Sequence, residues 1–96
     1  MFNFEETFYM SYELLGIKGL SMEAKFLFSE LDEIQYKTKN NVVEYNNKKA
    51  MELTRIKSTS TLSKVKKELI DNDLAEVEVR KNKVYYTLKK TFLKEA

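Results

Sequence analysis

The sequence predicts a single α+β domain of three helices followed by a C-terminal β-hairpin, with an arm or a strand at the N-terminus. Two observations support this prediction. Apolar residues recur with the 3.6-residue helical period in the central part of the chain, and the period changes to two from residue 74. The length of 96 residues is that of one domain. We therefore expect one domain over residues 1–96, with an arm (1–20), a helical core (21–73) and a hairpin (74–90).

The N-terminal part of the chain is predicted to form an arm and then the first helix. Residues 7–15 are aromatic and apolar enough for a strand or a packed arm, and the glycine-containing segment 16–19 ends it. Ser21 suits the N-cap of the first helix. Met22 and Phe26 lie off the inward stripe of this helix, so they are candidates to contact the arm or a second copy in a homodimer. The inward stripe itself consists of Ala24, Leu27, Phe28, Leu31 and Ile34.

A short strand and two further helices are expected next. Val42 to Tyr45 can form the strand, and Asn47 can cap a short helix from Lys48 to about Arg55. A turn then leads into a third helix, which begins at residue 59 or 60 and ends near residue 72. Its inward stripe is Leu62, Val65 and Leu69.

The end of the chain has the alternation of an antiparallel hairpin. Val77 and Val79 alternate with charged residues, as in a half-buried strand, and residues 80–83 form a polar turn in which Asn82 tolerates a positive φ. The inward residues of the second strand are Val84, Tyr86 and Leu88. The resulting order of helix, strand, helix, helix and two strands is that of a winged helix-turn-helix, in which the hairpin is the wing.

The third helix and the hairpin turn carry the residues that we expect to bind DNA. Short hydroxyl side chains let a helix approach a groove closely, and cations reach phosphates and guanine edges. The charge distribution agrees, because residues 48–96 hold 13 basic and 7 acidic side chains, whereas residues 1–47 hold 4 and 8. A solvated lysine-rich face is the alternative reading. The predicted DNA-binding residues are Ser60, Thr61, Ser63, Lys64 and Lys67 on the helix and Arg80, Lys81 and Lys83 at the hairpin tip.

Aromatic residues leave a second role open. Exposed aromatic rings beside a basic groove would favour stacking on the bases of single-stranded DNA, although such rings more often belong to a core or hold an arm in place. The residues concerned are Phe2, Phe4, Phe8, Tyr9, Tyr12, Tyr85 and Tyr86.

Several classes of function are disfavoured by what the sequence lacks. The chain has no cysteine and no histidine, which removes disulfides, thiolate metal sites and the commonest general base. Glu30, Asp32 and Glu33 could suggest a cation site, but a charged outer face of the first helix explains them better. We expect no catalysis, no metal and no cofactor. The sequence has neither an apolar run of roughly 18 residues nor a leader-like N-terminus, so we expect a soluble cytoplasmic protein.

Several short motifs resemble the N-terminal domain of plasmid replication initiator A proteins, which are typical of low-GC Gram-positive bacteria and their mobile elements. In the N-terminal half these motifs are Phe8-Tyr9, Lys18-Gly-Leu-Ser21 and Ala24-Lys25. In the C-terminal half they are Ser60-Thr61, Lys64, Lys67-Glu68-Leu69 and Leu74, and the resemblance spans roughly residues 8–90.

This resemblance implies a winged helix, binding to duplex DNA at a replication origin, and dimer formation. It would place the five predicted helix residues in the major groove and the three hairpin residues on the DNA backbone. Two features depart from the family: residues 36–47 are shorter than its usual strand-bearing stretch, and the family's C-terminal domain is missing. The alternatives are a small accessory replication protein that binds single-stranded DNA and a primase or polymerase, and a winged helix that binds only proteins.

Overall fold

The computed structural model describes residues 12–92, with the backbone alone for Tyr12. Over these residues the fold is α+β, with four helices rather than the three expected. The helices are α1 (Tyr12–Leu15), α2 (Met22–Thr38), α3 (Asn47–Thr54) and α4 (Thr59–Asp71). The strands are β1 (Val42–Glu44), β2 (Ala75–Arg80) and β3 (Lys83–Leu88). No helix in this part of the chain is long and apolar enough to cross a membrane.

The three strands form one antiparallel sheet in the order β1-β3-β2. Tyr86 at the centre of β3 lies opposite Val43 on one side and Val77 on the other. The predicted alternation along β3 is confirmed, because Val84, Tyr86 and Leu88 are buried. The prediction for Val79 is wrong: its side chain is 64% exposed. β2 is an edge strand, so Val79 has a neighbouring strand on the β3 side only.

The hydrophobic core lies between the inner face of this sheet and the helices α2, α3 and α4. The inward stripes predicted for the first and third helices are confirmed except for Ile34, which is only partly buried. The largest fully buried side chains are Tyr86, Phe28, Leu14, Leu27, Leu31, Leu62, Leu69 and Leu74.

The helix ends follow from capping side chains. The Oγ of Ser21 accepts from the backbone N–H of Ala24 at 3.2 Å, as the sequence predicts. The cap of α3 is Asn46 rather than Asn47, since the Oδ1 of Asn46 accepts from the Lys48 N–H at 2.6 Å. Ser21 also contacts the far end of α4, because its backbone N–H donates to Glu68 Oε1 at 2.6 Å. This contact ties the start of α2 to α4.

Where the structure describes it, the segment predicted to be a strand or a packed arm is a short helix rather than a strand, and it packs against the core. Residues 12–15 form the short helix α1, and Leu14 is 2% exposed and belongs to the core. The Lys25 ammonium donates to the Leu15 carbonyl at 2.6 Å and holds α1 against α2. Residues 1–11 lie outside the described residues, so the roles considered for the aromatic side chains of residues 2–12 stay predictions.

Asp32 contradicts the expectation that the acidic residues of α2 form a charged outer face. Its side chain is 3% exposed and accepts three hydrogen bonds. The donors are the Gln35 amide (2.7 Å), the Thr91 hydroxyl (2.7 Å) and the backbone N–H of Phe92 (2.8 Å). The ring of Phe92 also meets Phe28 edge-on, with the centroids 5.7 Å apart. Asp32 therefore anchors the segment after β3 to α2.

Candidate nucleic-acid interface

The helices α3 and α4 are joined by a tight turn whose geometry depends on Arg55. Arg55 has a φ of 60°, in the left-handed region, and its backbone N–H donates to the Met51 carbonyl. The N–H of Ile56 donates to the same carbonyl at 3.0 Å, and the Ile56 side chain is 7% exposed. The turn thereby buries Ile56 in the core and leaves its charged neighbours, Arg55 and Lys57, exposed.

The outer face of α4 carries the hydroxyl and lysine side chains that the sequence singles out. All five predicted residues of this helix are exposed. At about 100° per residue, Ser60, Ser63 and Lys67 point away from the buried stripe, and Lys64 lies at one edge of the same face. These side chains are available to an external partner. The five exposed residues are Ser60, Thr61, Ser63, Lys64 and Lys67.

The polar groups on this face are not all equally available. Ser58 caps α4 by accepting from the Thr61 N–H at 3.2 Å, and its hydroxyl lies 2.8 Å from the Thr61 Oγ1. Lys67 forms a salt bridge with Asp71 at 3.3 Å. Lys64 has no ion pair with any residue that the structure describes. Among the predicted helix residues, Lys64 is therefore the cation most available to an anionic ligand.

The hairpin turn presents two of its three predicted cations. Lys81 and Lys83 are exposed and have no ion pair within residues 12–92. The Arg80 guanidinium instead pairs with Glu78 at 2.7 Å and lies over the Tyr85 ring, 4.7 Å from its centroid. Arg80 is thus engaged on the outer face of the sheet. The residues Lys81 and Asn82, with φ values of 49° and 67°, form the two-residue turn.

The hairpin tip lies beside the start of α3. The Tyr45 N–H donates to the Val84 carbonyl at 3.0 Å, and a polar cleft of about 130 Å³ separates Asn82 and Lys83 from Asn46 and Asn47. The Asn47 side chain in turn accepts from the Lys66 ammonium of α4 at 2.7 Å. Burial lowers the pKa of Lys66. These contacts make the hairpin tip, the start of α3 and α4 parts of one continuous surface.

Sequence reasoning did not single out the cations of α3 and of the turn that follows it. All four are exposed and none is ion-paired among the described residues. Their signal is the excess of basic residues in the second half of the chain, which does not distinguish α3 from α4 and the hairpin. The four residues are Lys48, Lys49, Arg55 and Lys57. We call Lys48 and Lys49, together with the exposed face of α4 and the hairpin tip, the basic surface.

Charge is neutralised at the opposite end of the hairpin. The Lys89 ammonium lies 2.8 Å from Asp73 and 3.5 Å from Glu76. The hydrogen bond and charge of Lys89 lower the pKa of Asp73, and Asp73 raises the pKa of Lys89 in the same way. From the start of β2 to the end of β3, the cations without an ion pair among the described residues are Lys81 and Lys83, which lie at the hairpin tip on the basic surface.

The hairpin tyrosines are poor candidates for base stacking in this arrangement. Tyr86 is fully buried, and Tyr85 is partly buried beneath Arg80. Tyr45 is also buried, and its hydroxyl donates to Glu30 at 3.3 Å. Burial, reinforced by the charge and hydrogen bond of Glu30, raises the pKa of Tyr45 to about 12. These tyrosines belong to the core and to the outer face of the sheet.

Within residues 12–92, no group of three or more acidic side chains is arranged to hold a metal ion. Comparison with known proteins adds no family assignment. No family model matches the chain, and neither a curated protein nor a solved structure matches it.

Proposed function

We propose that this chain is a winged helix that binds duplex DNA through the basic surface. The observation that carries the proposal is that three elements carry exposed cations without an ion pair among the described residues: Lys64 on α4, Lys81 and Lys83 at the hairpin tip, and the lysines of α3. The start of α3 contacts α4 through Asn47 and lines one cleft with the hairpin tip. A helix with an exposed polar face, followed by a cationic hairpin, suits insertion into the major groove with the hairpin on the neighbouring backbone.

Each part of the basic surface has a distinct role in this proposal. Ser60 and Ser63 are short enough to let α4 approach the base edges, and Lys64 reaches a guanine or a phosphate. Lys81 and Lys83 contact phosphates, as do the two lysines of α3. Each phosphate contact releases counterions, so the affinity must fall steeply as the salt concentration rises.

The biological setting and the oligomeric state are also proposals. The resemblance to initiator N-terminal domains favours replication of a plasmid or a mobile element. Leu15 and Met22 are 40% and 47% exposed, and Lys25 brings α1 against this part of α2. These exposed apolar side chains, next to the partly buried Phe26, support a homodimer contact at this end of α2.

Fluorescence anisotropy with a labelled random duplex and a matched single strand, each titrated at several salt concentrations, tests the proposal. We expect tighter binding to the duplex and a steep loss with salt. Lys64→Ala should weaken duplex binding by about 1–3 kcal/mol if Lys64 reads a base. The matched control is Lys37→Ala, which removes an exposed lysine of α2 that does not belong to the basic surface and should leave the affinity unchanged.

Other outcomes would redirect the assignment. Tighter binding to the single strand would favour the accessory replication role with a primase or polymerase partner. Absence of binding to both probes at physiological salt would leave only a protein-binding winged helix. A loss in Lys64→Ala that appears only in the salt dependence would make Lys64 a phosphate contact rather than a base contact.

A further inference from the structure

A shallow groove of about 550 Å³ runs along α3 and the turn after it. It meets the basic surface only at Lys48, and its other residues belong to neither the exposed face of α4 nor the hairpin tip. The residues that line the groove are Lys48, Met51, Glu52, Arg55, Ile56 and Lys57. We refer to it as the α3 groove.

The floor of the α3 groove is apolar because of the way α3 ends. Met51 is partly buried and packs against the core, and Ile56 is turned inward by the left-handed conformation of Arg55. Met51 and Ile56 are the two apolar residues that line the groove. The aliphatic stems of the surrounding lysine and arginine side chains extend this apolar surface.

The rim of the groove is cationic. Lys48, Arg55 and Lys57 are exposed and have no ion pair in the part of the chain that the structure describes. Glu52 is the single carboxylate among the six lining residues. A site of this kind combines an apolar contact with an excess of positive charge.

Charge complementarity selects the occupant. A DNA backbone would pair with the rim but would leave the apolar floor in water, and an uncharged apolar segment would leave the cations without partners. We propose that the α3 groove binds a short acidic segment of a partner protein, with an apolar side chain against Met51 and Ile56. Carboxylates on either side of that side chain pair with Arg55 and Lys57, and the arginine can do so through two parallel hydrogen bonds.

This inference does not depend on DNA binding and can be tested separately. The probe is a fluorescein-labelled synthetic peptide with one phenylalanine flanked on both sides by glutamates, titrated with the full chain. Two analogues, one with glutamine for glutamate and one with serine for phenylalanine, separate the two contributions. We expect each analogue to bind about tenfold more weakly than the parent peptide. Amide chemical-shift changes in the wild-type chain should centre on Met51 and Ile56.

Paired charge reversals localise the binding. The double variant Arg55→Glu with Lys57→Glu should lower the affinity for the parent peptide by about tenfold or more. Lys81→Glu with Lys83→Glu makes the same change in net charge at the hairpin tip and should leave peptide affinity unchanged. If the double variant does not fold, peptide affinity is measured with Lys57→Glu alone, because Lys57 lies at an exposed turn position. Equal affinity for all three peptides, or equal loss in both double variants, would overturn the proposal.

Discussion

Replacing Asp32 by alanine should lower the free energy of unfolding by about 2–4 kcal/mol. The carboxylate of Asp32 accepts from the Gln35 amide, the Thr91 hydroxyl and the Phe92 N–H at 2.7, 2.7 and 2.8 Å. A hydrogen bond to a charged group contributes about 1.5–3 kcal/mol to stability. The three donors are partly buried or exposed, so water can satisfy them in part when the carboxylate is removed. Removing a charge that is 3% exposed offsets part of this loss.

The assay is urea unfolding followed by far-ultraviolet circular dichroism, since the chain has no tryptophan. At about 4–8 °C per kcal/mol for a domain of this size, a loss of about 2–4 kcal/mol should lower the melting temperature by about 8–32 °C. Asp32→Asn keeps the shape of the side chain and one acceptor oxygen, so it should lower the free energy of unfolding by less than Asp32→Ala does. If the chain binds duplex DNA as proposed, its affinity, corrected for the folded fraction, should not change, because Asp32 does not belong to the basic surface.

The neighbouring residue Glu33 provides the matched control. Its side chain is 28% exposed and forms an i,i+4 salt bridge with Lys37 at 3.1 Å. A pair of this kind contributes about 0.3–0.5 kcal/mol, so Glu33→Ala should change stability by no more than that. If Asp32→Ala and Glu33→Ala destabilise the protein equally, Asp32 is not an anchor for the segment after β3, and the reasoning fails.

Three further predictions concern two residues in the left-handed conformation, Lys81 and Arg55, and the buried hydroxyl of Tyr45. Asparagine tolerates the left-handed conformation of residue 81 better than lysine does, so Lys81→Asn should raise the free energy of unfolding by about 0.5 kcal/mol. It should also reduce by about 1 the slope of log affinity for DNA against log salt concentration, and an unchanged slope would exclude a phosphate contact by Lys81. Arg55 has a φ of 60°, which glycine adopts without steric strain, so Arg55→Gly should raise the free energy of unfolding in urea by about 0.5–1 kcal/mol. The same change should weaken binding of the acidic peptide. A lower free energy of unfolding would contradict the turn geometry. The pKa of Tyr45 is about 12 in the folded protein and 10.0 in the unfolded chain. Between these two pH values the hydroxyl is therefore neutral when the protein is folded and ionised when it is unfolded. Its contribution to stability is full below pH 10 and is lost as the pH rises towards about 12, and Tyr45→Phe should flatten this loss in unfolding curves measured over that range.

The sequence alone was sufficient to predict those elements whose formation depends on residues close to one another along the chain. The hairpin could be predicted because alternation with a period of two places Val84, Tyr86 and Leu88 on one face, and these three are buried. Ser21 could be recognised as a cap because its partner, the Ala24 N–H, is three residues away. The exposed position of Lys64 followed from its place relative to the apolar stripe of α4.

The remaining features depend on residues that are distant along the chain. Asp32 is buried because Thr91 and Phe92, 59 and 60 positions later, return to α2 and donate to it, and no local pattern contains that information. The availability of a cation is likewise a tertiary property. Arg80 is engaged because β2 and β3 bring Tyr85 beneath it, whereas Lys48 joins the basic surface because the sheet places the hairpin tip beside the start of α3. Periodicity and capping act over one or two turns of chain, so the sequence by itself determined α2 to α4, the three strands and their order, but not the short helix α1. Only packing decided which charges are buried, which are paired and which adjoin one another.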